Sequence, residues 1–349
     1  MGKKRVTSHD VAKLAGVSRS VVSAVLNNTP GIGVSVETRE TVLAAIQELN
    51  YHVDAQARSM KTGRSMTLAA YGDTRHPLFM RLLEGMQREC EARGYHILLC
   101  SPGHRQTGEG RDELLGLYHQ RKIDGIVTLD STSYRNEEWA AKVKESGVPY
   151  VSVEGYAGTG GIFSVLADYK GSVEMALDYL YAGKTSITEA PVYADVFHHS
   201  TAGQAIWAEE NRKNAYTEWC LKHGMQPVIS RHEEREGRVD WLEWLRDLQS
   251  DGGTLPPVLV NWSSAVPDLY RAAHRLGLRI GDQLRIMAAD NTIQGHRLSL
   301  PSLSCVEIPY VGMGEEAVRC VLNQLEQGPG TERPAKLWLP AILRPGESA

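Results

Sequence analysis

Long apolar runs are missing from this chain: nowhere do about 18 consecutive apolar residues occur, so no membrane-spanning helix is expected. The N-terminal stretch MGKKRVTSHDVAKLAG is charged and then amphipathic, and it lacks the apolar core of a secretory signal. Cysteine is sparse. Cys90, Cys100, Cys220, Cys305 and Cys320 are odd in number, scattered, and form no C-x-x-C pair, which argues against a disulfide or zinc framework and points to thiols in a reducing cytoplasm. Catalytic motifs are absent as well. There is no G-x-S-x-G nucleophile elbow and no G-x-G-x-x-G after the first strand. Gly183-Lys184-Thr185 resembles the end of a phosphate-binding loop, but Asp178 stands where that motif needs glycine. His198-His199 has no Cys or carboxylate at ligand spacing and reads as a surface loop. No metal and no cofactor is expected.

What remains is an ordinary globular composition, 42% hydrophobic and 23% charged, on 349 residues, too many for one core. Charge is unevenly spread. Residues 1–64 carry nine Lys/Arg against five Asp/Glu, +4, which leaves −8 for the rest of a chain whose net charge is −4. A basic head on an acidic body suggests that only the head meets a polyanion.

Residues 8–49 read as three short helices. Val11, Leu14 and Ala15 share one face of the first; Gly16-Val17-Ser18 ends it, and Ser18 caps the second, which buries Val21, Val22, Val25 and Leu26. Ser35 caps the third, with Val42, Ala45, Ile46 and Leu49 on one face. Residues 54–62 are polar, rich in small residues, and too short to hold a core. From residue 66 strands alternate with longer helices: strands at 67–72, 95–101, 125–129, 149–155, 191–196, 227–229, 257–261, 284–290, 304–308 and 336–343. Repeated βα units predict parallel sheets flanked by helices, and the length suits two lobes with a ligand cleft beyond the carboxyl ends of the strands.

The stretch TSHDVAKLAGVSRSVVSAVLN from Thr7 to Asn27, VSVETR from Val34 to Arg39, and ARSM from Ala57 to Met60 closely resemble the head of the lactose-repressor (LacI/GalR) family of bacterial transcription regulators. That pattern is T-x-x-D-V-A-x-x-A-G-V-S, then T-V-S-x-V-L-N, V-S-x-x-T-R and A-R-S-L. Weaker, collinear matches follow in the body at Glu154, Arg212-Lys-Asn-Ala-Tyr216, Asn261 and Ala-Ala-Asp-Asn291. The resemblance implies an all-α helix-turn-helix head at 1–53, a hinge at 54–65, and a two-lobed, periplasmic-binding-protein-like α/β body at 66–349. Lobe 1 is expected at about 66–165 plus 292–325 and lobe 2 at about 166–291 plus 326–349.

In such a head the second helix lies in the major groove, and its first residues read base edges. Arg19 suits bidentate bonds to guanine O6 and N7, beside the permissive Ser20. Thr7, Ser23 and Asn27 suit backbone contacts that set register. Ala57 and Met60 fall in the hinge, with Met60 where the family has a Leu that wedges into the minor groove. Val21, Ala24 and Asp54 depart from the pattern. Ala24 replaces a long polar reader and offers only apolar contact.

For the cleft the resemblance points to the loop after the first strand, with Asp73, His76 and Phe79, and to Glu154, Arg212, Asn261, Trp262 and Asp290. Glu154 and Asp290 end apolar strands, where an ionised group needs a cleft or a partner. Arg212 either clamps a ligand oxygen or pairs with one of these acids, and Trp262 either stacks on a sugar face or fills a gap. The expected function is a cytoplasmic, homodimeric, non-enzymatic repressor. It binds an inverted-repeat DNA operator under control of a small, sugar-like effector. The alternative is a solute-binding receptor or sugar-processing enzyme with an N-terminal interaction module.

Overall fold

The structure, a computed structural model, describes residues 6–27, 33–52, 62–101, 109–130, 134–158, 161–182, 190–198, 207–250, 255–327 and 335–349. Contacts divide the chain into two units, Met1–Ser65 and Met66–Ala349. In the first, α1 is Ser8–Leu14, α2 Arg19–Asn27 and α3 Val36–Glu48. Each start is held locally. The Asp10 carboxylate accepts from the Thr7 N–H at 2.8 Å and the Thr7 hydroxyl at 2.7 Å. Ser18 Oγ accepts weakly from the Val21 N–H at 3.4 Å, and Ser35 Oγ accepts from the Thr38 N–H at 3.1 Å. Gly16, at φ 67°, makes the turn between α1 and α2, a conformation that favours glycine. Val11, Ala12, Val22, Val25, Val42 and Ala45 form the small core.

The second unit runs β1 (Thr67–Tyr71), α4 (Pro77–Arg93), β2 (His96–Cys100), α5 (Glu109–His119), β3 (Gly125–Leu129), α6 (Glu137–Ser146), β4 (Tyr150–Val153) and β5 (Phe163–Ala167). There follow α7 (Tyr169–Leu180), β6 (Val192–His198), α8 (Trp207–Lys222), β7 (Val228–Glu234), α9 (Leu242–Ser250) and β8 (Val258–Val260). The chain ends with α10 (Val266–Arg275), β9 (Ile286–Ala288), α11 (Gly295–Leu298), β10 (Ser304–Glu307), α12 (Tyr310–Gln327), β11 (Lys336–Leu339) and β12 (Ile342–Arg344). Two sheets result, ordered β11-β5-β4-β3-β1-β2 and β12-β10-β9-β8-β6-β7. All pairings between these strands are parallel except β10 with β12. Strands such as Val258–Val260 and Ile286–Ala288 are buried along their whole length, as parallel sheets covered on both faces require. Among the described residues no helix is long and apolar enough to cross a membrane.

Three expectations need correction. The strand β5 went unread because it follows β4 without an intervening helix, although the two pair in parallel from Val151 with Phe163. The lobe boundaries also shift. Within 292–325, β10 pairs with β9 and so belongs to the second sheet, while α12 packs on α4 and the first. The expected last strand is two. β11 pairs with β5 in the first sheet, and β12 pairs with β10 in the second. Pro340 separates them because it offers no N–H to a ladder. The chain therefore crosses between lobes three times, near Asp168, Pro309 and Pro340.

Candidate functional site

Two surfaces carry the candidate residues, one in each unit. On α2, Val22, Ala24 and Val25 are buried, whereas Arg19 and Ser20 are exposed and Ser23 half-buried on the opposite side. The exposed face thus gathers Arg19, Ser20 and Ser23. Ala24 does not join it: at 3% exposure it is a core residue, so the apolar base contact expected of it is removed. Thr7 is exposed, but its hydroxyl is engaged by Asp10 as part of the α1 cap. Asn27 is the last residue of α2, and its side chain lies outside the described residues, as do Ala57, Met60 and Asp54. Gly183-Lys184-Thr185 and His199 are outside them too.

In the body, the carboxyl ends of both sheets face a cavity of about 650 Å³, lined among others by Leu78, Glu154, Tyr169, Glu209, Trp262 and Tyr310. A narrow recess of about 20 Å³ adjoins it and is lined by Arg212, Trp262, Asp290 and Tyr310. Of the expected residues, Asp73, His76, Glu154, Arg212, Trp262 and Asp290 are brought together here.

Phe79 and Asn261 are not. Phe79 is fully buried in the core, its ring so close beneath Gly72 that an added Cβ there would sit 2.4 Å from it. The preceding residue, Leu78, faces the cavity instead, because α4 turns Phe79, Leu82 and Met86 inward together. The Asn261 amide is spent on the sheet. Its Oδ1 accepts from the Val196 N–H at 3.0 Å, and its Nδ2 donates to the Val196 carbonyl at 2.9 Å, which extends the β6–β8 ladder.

Glu154 follows β4 with φ 64°, a region disfavoured for residues bearing a Cβ. Its Oε1 accepts from the Ala167 N–H at 3.0 Å and its Oε2 from the Tyr169 hydroxyl. Burial pushes the carboxyl up to about 7, against the opposing pull of those two hydrogen bonds and of Arg212. Asp290 accepts from the Ser263 N–H, from the Thr292 N–H at 3.2 Å and from the Thr292 hydroxyl. Both oxygens of each acid are therefore engaged by the protein. Arg212 is fully buried on α8. Its Nη1 donates to the Asn261 carbonyl at 3.0 Å, and its guanidinium carbon lies 4.7 Å from the Tyr169 ring and 4.2 Å from the Trp262 ring. Trp262 in turn donates from Nε1 to Glu209 Oε1 at 3.2 Å.

Tyr169, Tyr310 and Glu209 escaped sequence reasoning. Tyr169 and Tyr310 each open a helix where the chain changes lobe, and those crossings are not written in periodicity. The site can present one buried cation between aromatic faces, with acceptor-rich walls above it.

Comparison with known proteins agrees with this architecture. Residues 7–54 match the lacI family of bacterial regulatory proteins, and residues 197–349 match a periplasmic binding protein-like domain. The ribose operon repressor of Halalkalibacterium halodurans is 26% identical over 351 residues, covering 98% of each chain. The HTH-type transcriptional repressor PurR of Proteus mirabilis is 25% identical over 327 residues, covering 91% of this chain and 90% of that protein. The crystal structure of the lac repressor dimer bound to operator and the anti-inducer ONPF superposes with a TM-score of 0.71 at 20% identity, over 99% of both chains, so the fold is shared. The chain thus carries a lacI-family regulatory domain at residues 7–54 and a periplasmic binding protein-like domain at residues 197–349, and along its length it is similar to named transcription repressors.

Proposed function

We propose that the protein is a transcription repressor that binds an inverted-repeat operator as a homodimer, with its affinity set by a small polar effector in the cleft between the lobes. The observation that carries this reading is the outward face of α2. It presents Arg19, Ser20 and Ser23 on a helix of nine residues, within a unit that carries excess positive charge. One short helix is too little for tight, specific binding alone, so symmetric paired half-sites are the natural target. The two relatives compared are named repressors, and the lac repressor structure is a dimer on operator DNA. Arg19 is the base reader in this proposal, with Ser20 beside it; Ser23, Thr7 and Asn27 contact the backbone, and Ala57 and Met60 belong to the hinge. No catalytic step is assigned.

Operator sites selected from random DNA and mapped by footprinting test the reading. Two related half-sites are expected, with affinity falling steeply as salt rises, because bound phosphates release counterions. Arg19→Ala is expected to cost about 1–3 kcal/mol and to relax preference at one base per half-site. A single asymmetric site bound at full affinity contradicts the dimer, and an unchanged base preference removes Arg19 from the reading role.

A further inference from the structure

We propose that the effector is a hydroxylated carboxylic acid, a sugar acid rather than a neutral sugar, whose carboxylate is bound side-on by Nε and Nη2 of Arg212. The proposal rests on the cleft being the effector site. Arg212 is 0% exposed, and while its Nη1 donates to the Asn261 carbonyl, its Nε and Nη2 have no hydrogen-bond partner among the described residues. Those two N–H groups lie along one edge of the planar guanidinium, as parallel donors spaced for the two oxygens of a carboxylate. Tyr169 and Trp262 cover its faces at 4.7 and 4.2 Å and hold the plane, so the fork is preset. The recess beside it, about 20 Å³, has room for little more than one small polar group and adjoins the larger cavity.

A second arginine in the same body shows what self-sufficiency looks like. Arg111 also sits among rings, 4.3 Å from Tyr134 and 5.3 Å from Tyr71, but it is neutralised by Asp130 and donates to the Tyr150 hydroxyl at 3.2 Å. Arg212 has no such anion: among the described residues no carboxylate oxygen lies within 4.0 Å of it. The candidates are otherwise engaged, Asp290 by Ser263 and Thr292, and Glu154 by Ala167 and Tyr169. Hydroxyl oxygens would satisfy the two donors but leave the buried charge uncompensated, whereas a carboxylate does both. The rest of the cavity has the opposite character. Asp73, Glu209 and Glu234 line it, acceptors that suit hydroxyl donors and oppose an anion there, whereas the two carboxylates of the recess are already engaged, Glu307 by Arg81 and Arg344 and Asp290 by Ser263 and Thr292. The acids of the larger cavity therefore orient the ligand with its carboxylate inward.

Calorimetry and thermal shift on the full chain test this, with D-gluconate, D-glucuronate and D-galacturonate set against D-glucose and D-galactose. At least one acid is expected to bind and raise Tm, with its neutral counterpart tenfold weaker or worse, about the worth of one charge-assisted bond. Arg212→Gln is expected to weaken the acid by about tenfold to hundredfold, and Arg212→Lys, which keeps charge without the fork, by less. The unliganded Tm of each variant reports folding; if the Gln variant fails to fold, the Lys variant carries the comparison. A neutral sugar binding as tightly as its acid, no binding by any of the acids, or acid affinity unchanged in both variants overturns the carboxylate. The wider reading fails separately. Neutral-sugar binding that is lost in Trp262→Ala leaves the cleft as the effector site and removes only the acid, whereas binding insensitive to both Trp262 and Arg212 variants removes the cleft as well.

Discussion

Burial works against ionisation at His232 on β7, whose ring lies 4.1 Å from Trp241 and 4.9 Å from Trp244 and whose Nε2 finds no hydrogen-bond partner among the described residues. Desolvation pulls its pKa down to about 4. In the unfolded chain an imidazole titrates near 6.5, so between about 6.5 and 4 the unfolded state binds the extra proton. The stability His232 contributes is therefore complete above about pH 6.5 and is lost as pH falls toward 4. His232→Phe removes that titration, so urea melts at pH 7.5 and pH 5 are expected to differ by roughly 1–2 kcal/mol less in the variant than in the parent. An equal pH dependence in both would show that His232 is free to protonate in place. At this scale the sequence was a partial guide. The family resemblance pointed to Glu154 and Asp290, and both line the cleft, but which of their lone pairs are already used is settled by Ala167, Tyr169, Ser263 and Thr292. Phe79 and Leu78 show the same limit, since neighbouring residues on a helix face different ways and only packing decides which is inside.

Two glycines govern how the helices of lobe 1 meet. A Cβ on Gly85 of α4 would lie 1.8 Å from the Val311 carbonyl oxygen, and one on Gly314 of α12 would lie 2.2 Å from the Leu82 carbonyl oxygen. In an isolated helix, replacing glycine by alanine gains up to about 1 kcal/mol. Here the obstacle is backbone, which cannot rotate away, so overpacking of about 1–3 kcal/mol or more outweighs the gain. Gly314→Ala is accordingly expected to lower the midpoint of chemical denaturation, and a midpoint at or above the parent's would show that α4 and α12 part without cost. Most elements were legible from periodicity and caps. The sequence places three short helices within 8–49, close to their observed spans, because amphipathic spacing and N-caps act locally. β5 was not legible, since its only signature is pairing with β4 and β11.

The sheet edges of the body bear on assembly. β2 ends the first sheet with Leu98 and Leu99 at 37% and 47% exposure, and β7 ends the second with Val228 and Ile229 at 47% and 40%. Open apolar edges are uncommon without a partner. We expect the second copy of the dimer proposed above to cover them. Leu99→Asp combined with Ile229→Asp is expected to give monomers by sedimentation, with little change in the Tm of the body. Because paired half-sites gain from linkage, operator affinity should then fall about 100-fold or more. A dimer that persists in this variant would place the second copy on another surface.

The sequence by itself determined the family of the head, the division into a basic and an acidic part, and the α/β character of the body. Those properties are local: a cap, a turn glycine, a run of alternating apolar residues or a motif at fixed spacing acts over a few neighbours. Tertiary structure decided which lobe each late strand joins, because β10, β11 and β12 declare their sheet only by pairing with residues far away in sequence. It also decided the chemistry of the cleft. Whether Arg212 is neutralised or open depends on where Asp290, Glu154, Tyr169 and Trp262 come to rest around it, and their separations in sequence carry no record of that.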